Sequence, residues 1–382
     1  MKQKVVIIGP AYPLRGGLAT YNERLARAFA EAGDEAEIVT FSLQYPNFLF
    51  PGQTQYSTDP APQDLVIKPL INSVNPLSWL KTGLYLKNQK PDIVIFRYWL
   101  PFMGPALGTI ARLISGNRHT RILAITDNII PHEKRPGDDI FTKYFLSACH
   151  GFITMSRSVL EDLKKFVPQK PAIYHPHPLY DNFGESQPKT VAKTALKLDP
   201  ATHYILFFGF IRAYKGLDLL LEAFAEERLA RLKNVKLIIA GEFYEPAEPY
   251  ENLIRKYHLE HRIVRATDFI PNSQVATYFS AADLIVQPYK HATQSGVSQI
   301  AYHFDKPMLV TDVGGLAELI PDGKVGYVTA PEPKAIADAI HNFYTSGKEG
   351  FFIEQVKFYK QQFSWKSMLQ AIKEVAGKVE RN

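Results

Sequence analysis

Short runs dense in β-branched and aromatic residues alternate along the chain with longer stretches whose apolar positions recur every three to four residues. In the first half the short runs are Val5–Ile8, Ala36–Thr40, Ile93–Phe96, Ile122–Ile125 and Gly151–Met155. Each is nearly continuous in apolar residues, the pattern of a strand covered on both faces. Between the first two, Ala19–Ala32 places Tyr21, Leu25, Ala28 and Phe29 on one helical face. Such alternation predicts parallel sheets in an α/β architecture.

The period is lost at His175-Pro176-His177-Pro178, and a polar stretch from Glu185 to Lys189 follows. Two prolines without a sustained period read as a connector. The alternation then restarts with Tyr204–Phe208, Val235–Ala240, Ile263–Ala266, Leu284–Gln287 and Pro307–Thr311, and with helices over Leu217–Ala230 and Asn272–Ser280. The tail from Phe352 to Lys378 is helical in pattern, with a break and N-cap predicted at Phe363-Ser364-Trp365. The simplest account is two doubly wound parallel-sheet domains, residues 1–180 and 181–362, facing across a cleft, with a terminal helix over 363–382. Phe41 to Ser73, rich in Pro, Gln, Tyr and Asn, has no clear period and is predicted to be a long loop over the first sheet.

A chain of 382 residues accommodates two such domains, and 46% hydrophobic with 21% charged residues is a globular balance. The single cysteine, Cys149, excludes an internal disulfide and fits a reducing compartment; Cys149 beside His150 falls far short of a zinc site. The apolar run after Met1-Lys2-Gln3-Lys4 is cut by Gly9-Pro10, so it reads as a first buried strand rather than a signal peptide. No run approaches the length of a membrane span, and a cytoplasmic location is expected. The net charge of +6 favours anionic ligands or an anionic membrane face. No zinc-finger spacing, RNA-recognition signature or long basic run points to nucleic acid as a partner.

In doubly wound sheets, ligands sit beyond the carboxyl ends of strands, at helix N-termini. Four segments there carry chemistry. Gly16 and Gly17, after the first strand, remove side chains so that backbone amides can approach an anion or a sugar; a tight turn alone is the plainer explanation. They match neither the Gly-x-Gly-x-x-Gly dinucleotide pattern nor a Walker loop. Arg212 and Lys215, in the turn after Tyr204–Phe208, can grip phosphate oxygens as a bidentate fork and a point charge, neutralising a diphosphate leaving group without a metal. Ser295-Gly296-Val297-Ser298, after Leu284–Gln287, offers an anion cradle of helix N-terminal amides. Thr126 to Asp139 is dense in titratable groups: His132 is a candidate to bind a sugar hydroxyl or carry a proton, and Asp127 a candidate hydroxyl acceptor. A solvated loop side chain is the plainer alternative for both.

At these residues the chain resembles the family 4-type retaining glycosyltransferases (glycosyltransferase group 1) of the GT-B fold, built from two Rossmann-like domains. The resemblance spans nearly the whole chain. Its markers are Gly16-Gly17, Phe208-Gly209-Phe210-Ile211-Arg212-Ala213-Tyr214-Lys215-Gly216, Thr267 to Asn272, Tyr278 to Asp283, and Asp312-Val313-Gly314-Gly315 to Leu319 ahead of the Gly323–Gly326 turn. It implies that Arg212 and Lys215 bind the donor diphosphate, that Gly16 and Gly17 close on the phosphates and acceptor, and that backbone near Phe269 and Ile270 meets the base. It further implies that Gly296 to Ser298 hold phosphate oxygens and that the tail after Trp365 crosses back onto the first, acceptor-binding domain.

Members of that family commonly carry Glu-x7-Glu at the third segment; here the two positions are Gln294 and Tyr302. Gln294 keeps hydrogen-bonding capacity for sugar hydroxyls but not the charge, and Tyr302 is expected to reach a ribose hydroxyl. The histidine usual after the inner strand is displaced, since that step reads Asp127-Asn128. The activity implied is retaining transfer of a hexose-type sugar from a nucleotide diphosphate to a glycan or lipid-linked acceptor. No cofactor is expected, and no metal, because no Asp-x-Asp stands on a donor loop; Asp138-Asp139 is the nearest imitation. A catalytically inactive sugar-nucleotide-binding protein and a sugar-nucleotide epimerase are the alternatives. Aromatic and basic residues from Tyr85 to Lys90 and from Tyr98 to Phe102 suggest peripheral contact with an anionic membrane, with core packing as the competing explanation.

Overall fold

The computed structural model describes residues 2–46, 54–131, 135–292 and 295–379. The chain divides into two compact units: residues 1–178 with 364–382, and residues 179–363.

The first unit is built on seven parallel strands: β1 (Lys4–Ile8), β2 (Glu35–Leu43), β3 (Val66–Asn72), β4 (Ile93–Tyr98), β5 (Arg121–Thr126), β6 (Gly151–Thr154) and β7 (Ala172–Tyr174). They lie in the order β3-β2-β1-β4-β5-β6-β7. Val5 to Ile8 and Ile93 to Phe96 are completely or almost completely buried, because β1 is flanked by β2 and β4 and both faces of the sheet carry helices. The predicted loop from Phe41 to Ser73 is corrected by the structure. β2 runs on to Leu43, and Val66–Asn72 pairs with it as the edge strand β3. The terminal helix Trp365–Lys378 belongs to this unit, with Ser364 capping it by accepting from the Ser367 amide. It is anchored by Trp365 against the Tyr21 ring and by an ion pair from Lys373 to Asp34 at 2.7 Å. Gly151 permits the approach, since a Cβ there would lie 2.5 Å from Val375.

The second unit carries six parallel strands: β8 (His203–Phe208), β9 (Val235–Ala240), β10 (Ile263–Ala266), β11 (Leu284–Gln287), β12 (Met308–Thr311) and β13 (Gly326–Thr329), in the order β10-β9-β8-β11-β12-β13. The predicted helix over Leu217–Ala230 is two helices, Leu217–Ala225 and Glu227–Ala230, because Glu226 takes an extended conformation between them. In both units the strand order reverses beside the first strand: between β1 and β4, and between β8 and β11. Two loops diverge at such a reversal and leave a crevice at the carboxyl ends of the strands.

Candidate active site

In the second unit the reversal sets the loop after β8 beside the loop after β11. The β8 loop turns at Gly209, with φ of 97°, and passes through Arg212 in an extended conformation into a short 3-10 turn over Ala213–Lys215. Gly216 closes the turn with φ of 67° and starts the helix Leu217–Ala225. A side chain at Gly216 would be strained, and its Cβ would lie 1.9 Å from the Pro288 carbonyl oxygen. The two loops are tied there. The Lys290 amide donates to the Tyr214 carbonyl at 2.7 Å, and Lys290 Nζ pairs with Asp218 at 2.5 Å.

Lys215 folds its ammonium back over Gly209, where Nζ lies 3.1 Å from the point a Cβ would occupy; Val297 Cγ2 is 3.8 Å from the same point. The half-buried cation therefore sits at the first turn of the helix Gly296–His303. Burial, with the Arg212 guanidinium adding repulsion, pushes the Lys215 ammonium down to about 8. Neither Arg212 nor Lys215 has a carboxylate within ion-pair distance among the described residues. Two neighbouring cations left without a counter-charge can accept a dianion.

Ser295 caps the helix, its hydroxyl accepting from the Val297 amide at 3.2 Å, and the first-turn amides add the partial positive charge of a helix N-terminus. Gly296 is bare for a packing reason as well: a Cβ would meet the Tyr180 ring at 2.8 Å. Ser298 is fully buried and exchanges hydrogen bonds with Gln287, which fixes the cradle to the end of β11.

The other side of the β8 loop is aromatic. Phe210 lies 4.2 Å from the Tyr244 ring and 6.3 Å from the Phe269 ring, centroid to centroid, and the Arg212 guanidinium stands 5.2 Å over Tyr244. Phe269 and Ile270, expected to flank a base, thus stand beside this wall. Phe210 and Tyr244 were not singled out from sequence; an aromatic residue just beyond the carboxyl end of each of β8 and β9 is the signal that marks them. The Ala213 amide donates to Glu245 at 2.8 Å, which steadies the turn bearing both cations.

One predicted site residue of this unit has other work. Tyr302 is wholly buried and donates its hydroxyl to the Leu319 carbonyl, with its ring against Phe363. It is a core side chain and offers no hydroxyl to a ribose. Gln294 lies outside the described residues.

In the first unit Gly16 caps the helix Gly17–Glu31 with φ of 103°, a conformation that excludes most side chains. Asp127, at the end of β5, is buried and paired bidentately with Arg97 of β4, at 2.6 and 2.5 Å. The Arg97 guanidinium lies 3.9 Å over the Tyr21 ring. The carboxylate proposed as a hydroxyl acceptor is thus half of a buried ion pair. His132 lies outside the described residues. The aromatic residues Tyr85, Tyr98, Trp99 and Phe102 pack inward. Tyr98 is buried and stacks on Phe145, Trp99 donates to the Tyr45 hydroxyl, Phe102 stacks on Tyr45, and the Tyr85 hydroxyl accepts from Lys68. Cys149 is buried, which pushes its thiol up to about 12. Among the described residues no three His, Cys, Asp or Glu side chains group to hold a metal.

The chain has counterparts among known proteins. Residues 202–346 match the glycosyl transferases group 1 family model, and residues 15–177 match that of glycosyltransferase family 4. Together the two matches take in most of the chain, and it belongs to the group 1, family 4-type glycosyltransferases. The chain is 31% identical to the alpha-D-kanosaminyltransferase of Streptomyces kanamyceticus over 138 residues, 36% of this chain and 35% of that protein. It is 24% identical to a D-inositol 3-phosphate glycosyltransferase of Catenulispora acidiphila over 94% of this chain and 89% of that one. For the first relatives the matched stretch spans well under two thirds of their length, 35% and 39% for two of them. Among solved structures, the sucrose-phosphate synthase of Thermosynechococcus elongatus superposes with a TM-score of 0.74 at 16% identity, over 98% of this chain and 99% of that one, and shares the GT-B fold.

Proposed function

We propose that the chain moves a hexose-type sugar from a nucleotide-diphosphate donor to an acceptor hydroxyl of a glycan or lipid-linked glycan, with retention of anomeric configuration. The observation that carries this reading is the Arg212–Lys215 turn, whose two cations have no carboxylate partner among the described residues and whose ammonium lies at the first turn of the Gly296–His303 helix. A diphosphate seated there meets a bidentate donor, a point charge and backbone amides. The wall of Phe210, Tyr244 and Phe269 supplies faces on which a base can stack.

In the reaction proposed, the bond from the anomeric carbon to the diphosphate oxygen breaks as an oxocarbenium-like state forms. The acceptor oxygen bonds to the same face, and its proton passes to the diphosphate oxygen. Arg212, Lys215 and the helix N-terminus stabilise the departing charge, which is the part of the charge distribution that grows toward the transition state. No divalent metal is required, so turnover persists undiminished in excess EDTA.

A panel of nucleotide sugars tested by thermal melting, then by transfer to glycan and glycolipid acceptors, checks the reading. At about 100 times its Kd a donor adds roughly 2.7 kcal/mol of stability, a rise of several degrees in Tm. Absence of any such shift across the panel removes the proposal. Donor binding without transfer or hydrolysis selects the inactive-binder alternative, which Gln294 in place of a glutamate and the buried Tyr302 favour.

The pH profile of kcat/KM tests Lys215 separately, since it reports groups of the free enzyme. Lys215 in the folded protein carries its proton below about pH 8 and loses it above. Diphosphate binding needs the cation, so kcat/KM for the donor falls as pH rises through about 8. Lys215→Arg, which stays charged, flattens that limb. An unchanged limb in the variant assigns the titration to another group.

A further inference from the structure

The connector that opens the second unit carries a tyrosine that the β8 and β11 loops do not account for. Tyr180 is the second residue of that unit. Its backbone is held where the chain enters, the Leu179 amide donating to the Phe363 carbonyl at 3.0 Å. The ring is held by Phe183, 5.6 Å away between centroids, and by the helix Gly296–His303. Only 5% of the residue is exposed.

At the helix the fit is close. A Cβ on Gly296 would lie 2.8 Å from Tyr180 Cε2, 3.6 Å from Cζ and 3.5 Å from Oη. The outer edge of the ring, hydroxyl included, therefore rests against the first residue of the helix. Glycine weakens a helix unless the room it leaves is used, and here the phenol uses it. A phenylalanine would fill the same room. What the tyrosine adds is one O–H at the helix N-terminus.

The next residue sets another flank. Val297 Cγ2 and Lys215 Nζ are 3.8 and 3.1 Å from one point, the place of a Cβ on Gly209. Successive side chains leave a helix about 100° apart, so the ammonium and the phenol approach the first turn from different sides. An anion seated on the first-turn amides would meet a cation on one side and a neutral donor on the other. The neutral donor suits its place. A third cation would repel Lys215, whose ammonium burial and Arg212 already push down to about 8, whereas a phenol directs a hydrogen bond without adding charge. Position also selects the phosphoryl group. The wall of Phe210, Tyr244 and Phe269 stands on the Arg212 side of the β8 loop, and Tyr180 stands beyond Lys215 at the helix. With the base on that wall, the phosphoryl group farther from the nucleoside is the one at Tyr180.

We propose that Tyr180 is a further donor-binding residue, its hydroxyl donating to an oxygen of the second phosphoryl group of the donor diphosphate. This rests on the reading of the site as a nucleotide-diphosphate-sugar pocket and extends that pocket to the connector. The bond strengthens as the leaving diphosphate gains charge, so the hydroxyl contributes to turnover as well as to binding.

Calorimetric titration of the full chain with UDP, GDP and ADP, and with UMP, GMP and AMP, tests the contact. For the base that the wild type accepts, the diphosphate is expected to bind more tightly than the monophosphate. Tyr180→Phe keeps the ring, so it is expected to keep the Tm and the affinity for the monophosphate. Its affinity for the diphosphate falls about tenfold, the loss of one hydrogen bond to a charged group, and the ratio of the two Kd values falls with it. Gly296→Ala pushes the ring away and weakens the diphosphate too; adding Tyr180→Phe to it costs nothing further. A wild-type chain that binds none of the three diphosphates removes the pocket and this contact together. A wild type that binds one, with Tyr180→Phe binding it equally well, overturns this inference alone. Equal weakening of mono- and diphosphate, or a lowered Tm in Tyr180→Phe, overturns it as well, since the hydroxyl then holds the connector and not the ligand.

Discussion

Replacing Arg212 with alanine is expected to lower turnover by on the order of 10²-fold or more, with a smaller change in donor KM. Arg212 stands in an extended conformation ahead of the 3-10 turn, its guanidinium over Tyr244, with the turn pinned by the bond from the Ala213 amide to Glu245. Nothing in the described structure neutralises it, so its charge is available to a ligand. A group that opposes charge growing on a leaving diphosphate acts more strongly on the transition state than on the bound donor, which places the loss in kcat. Arg212→Lys keeps the charge but not the planar fork, and recovers only part of the rate. Lys215→Ala is expected to fall in the same range. The double variant should lose less than the product of the two, because both cations address one diphosphate. Steady-state kinetics on variants whose Tm is unchanged read all three. Full turnover in Arg212→Ala would falsify the proposed role of this turn.

The central strands and the loops at the strand-order reversals were legible in the sequence because each rests on local pattern. β1, β4, β5, β8, β9 and β11 are nearly continuous apolar runs, and the turn after β8 carries its two cations three residues apart. The edge strands were harder to see. β3 contains Pro69, and much of its surface is exposed, so it has neither the continuous apolar run nor a clean alternation. An edge position tolerates both, since one side of its backbone has no ladder to complete. β7 is three residues long and β13 four, too short for any period to register.

Among the site residues, what local pattern does not reveal is long-range pairing. Tyr302 reads as a ribose partner because it stands where the family carries the second glutamate of Glu-x7-Glu, but its partner is the carbonyl of Leu319, seventeen residues on. Asp127 looked like a cleft carboxylate because its neighbours in sequence are polar; its partner Arg97 lies thirty residues earlier, in the adjacent strand. Lys215, by contrast, depends on Gly209 and Gly216 within its own turn, and its place followed from the motif. The aromatic wall mixes the two cases, since Phe210 is local to the motif while Tyr244 arrives from the loop after β9.

The Arg97–Asp127 pair yields the second large effect, on stability rather than turnover. Both side chains are nearly withdrawn from water, 2% and 10% exposed, and the guanidinium is sandwiched against Tyr21 of the helix that Gly16 caps. Removing one partner leaves the other charge buried without its counter-ion, which costs about 3–5 kcal/mol. Arg97→Leu and Asp127→Leu are therefore each expected to lower the Tm of the first unit by on the order of 10 °C in calorimetry. The double variant Arg97→Leu/Asp127→Leu recovers much of the loss, because two apolar side chains leave no stranded charge. The cycle also separates the two roles Asp127 was given. If the carboxylate only holds Arg97, the double variant regains turnover along with stability. If it also accepts a hydrogen bond from a sugar hydroxyl, the double variant melts near the wild-type temperature yet stays slow. An Asp127→Leu chain as stable as the wild type would show that the pair does not anchor β4 to β5, and the carboxylate would then be free for the ligand.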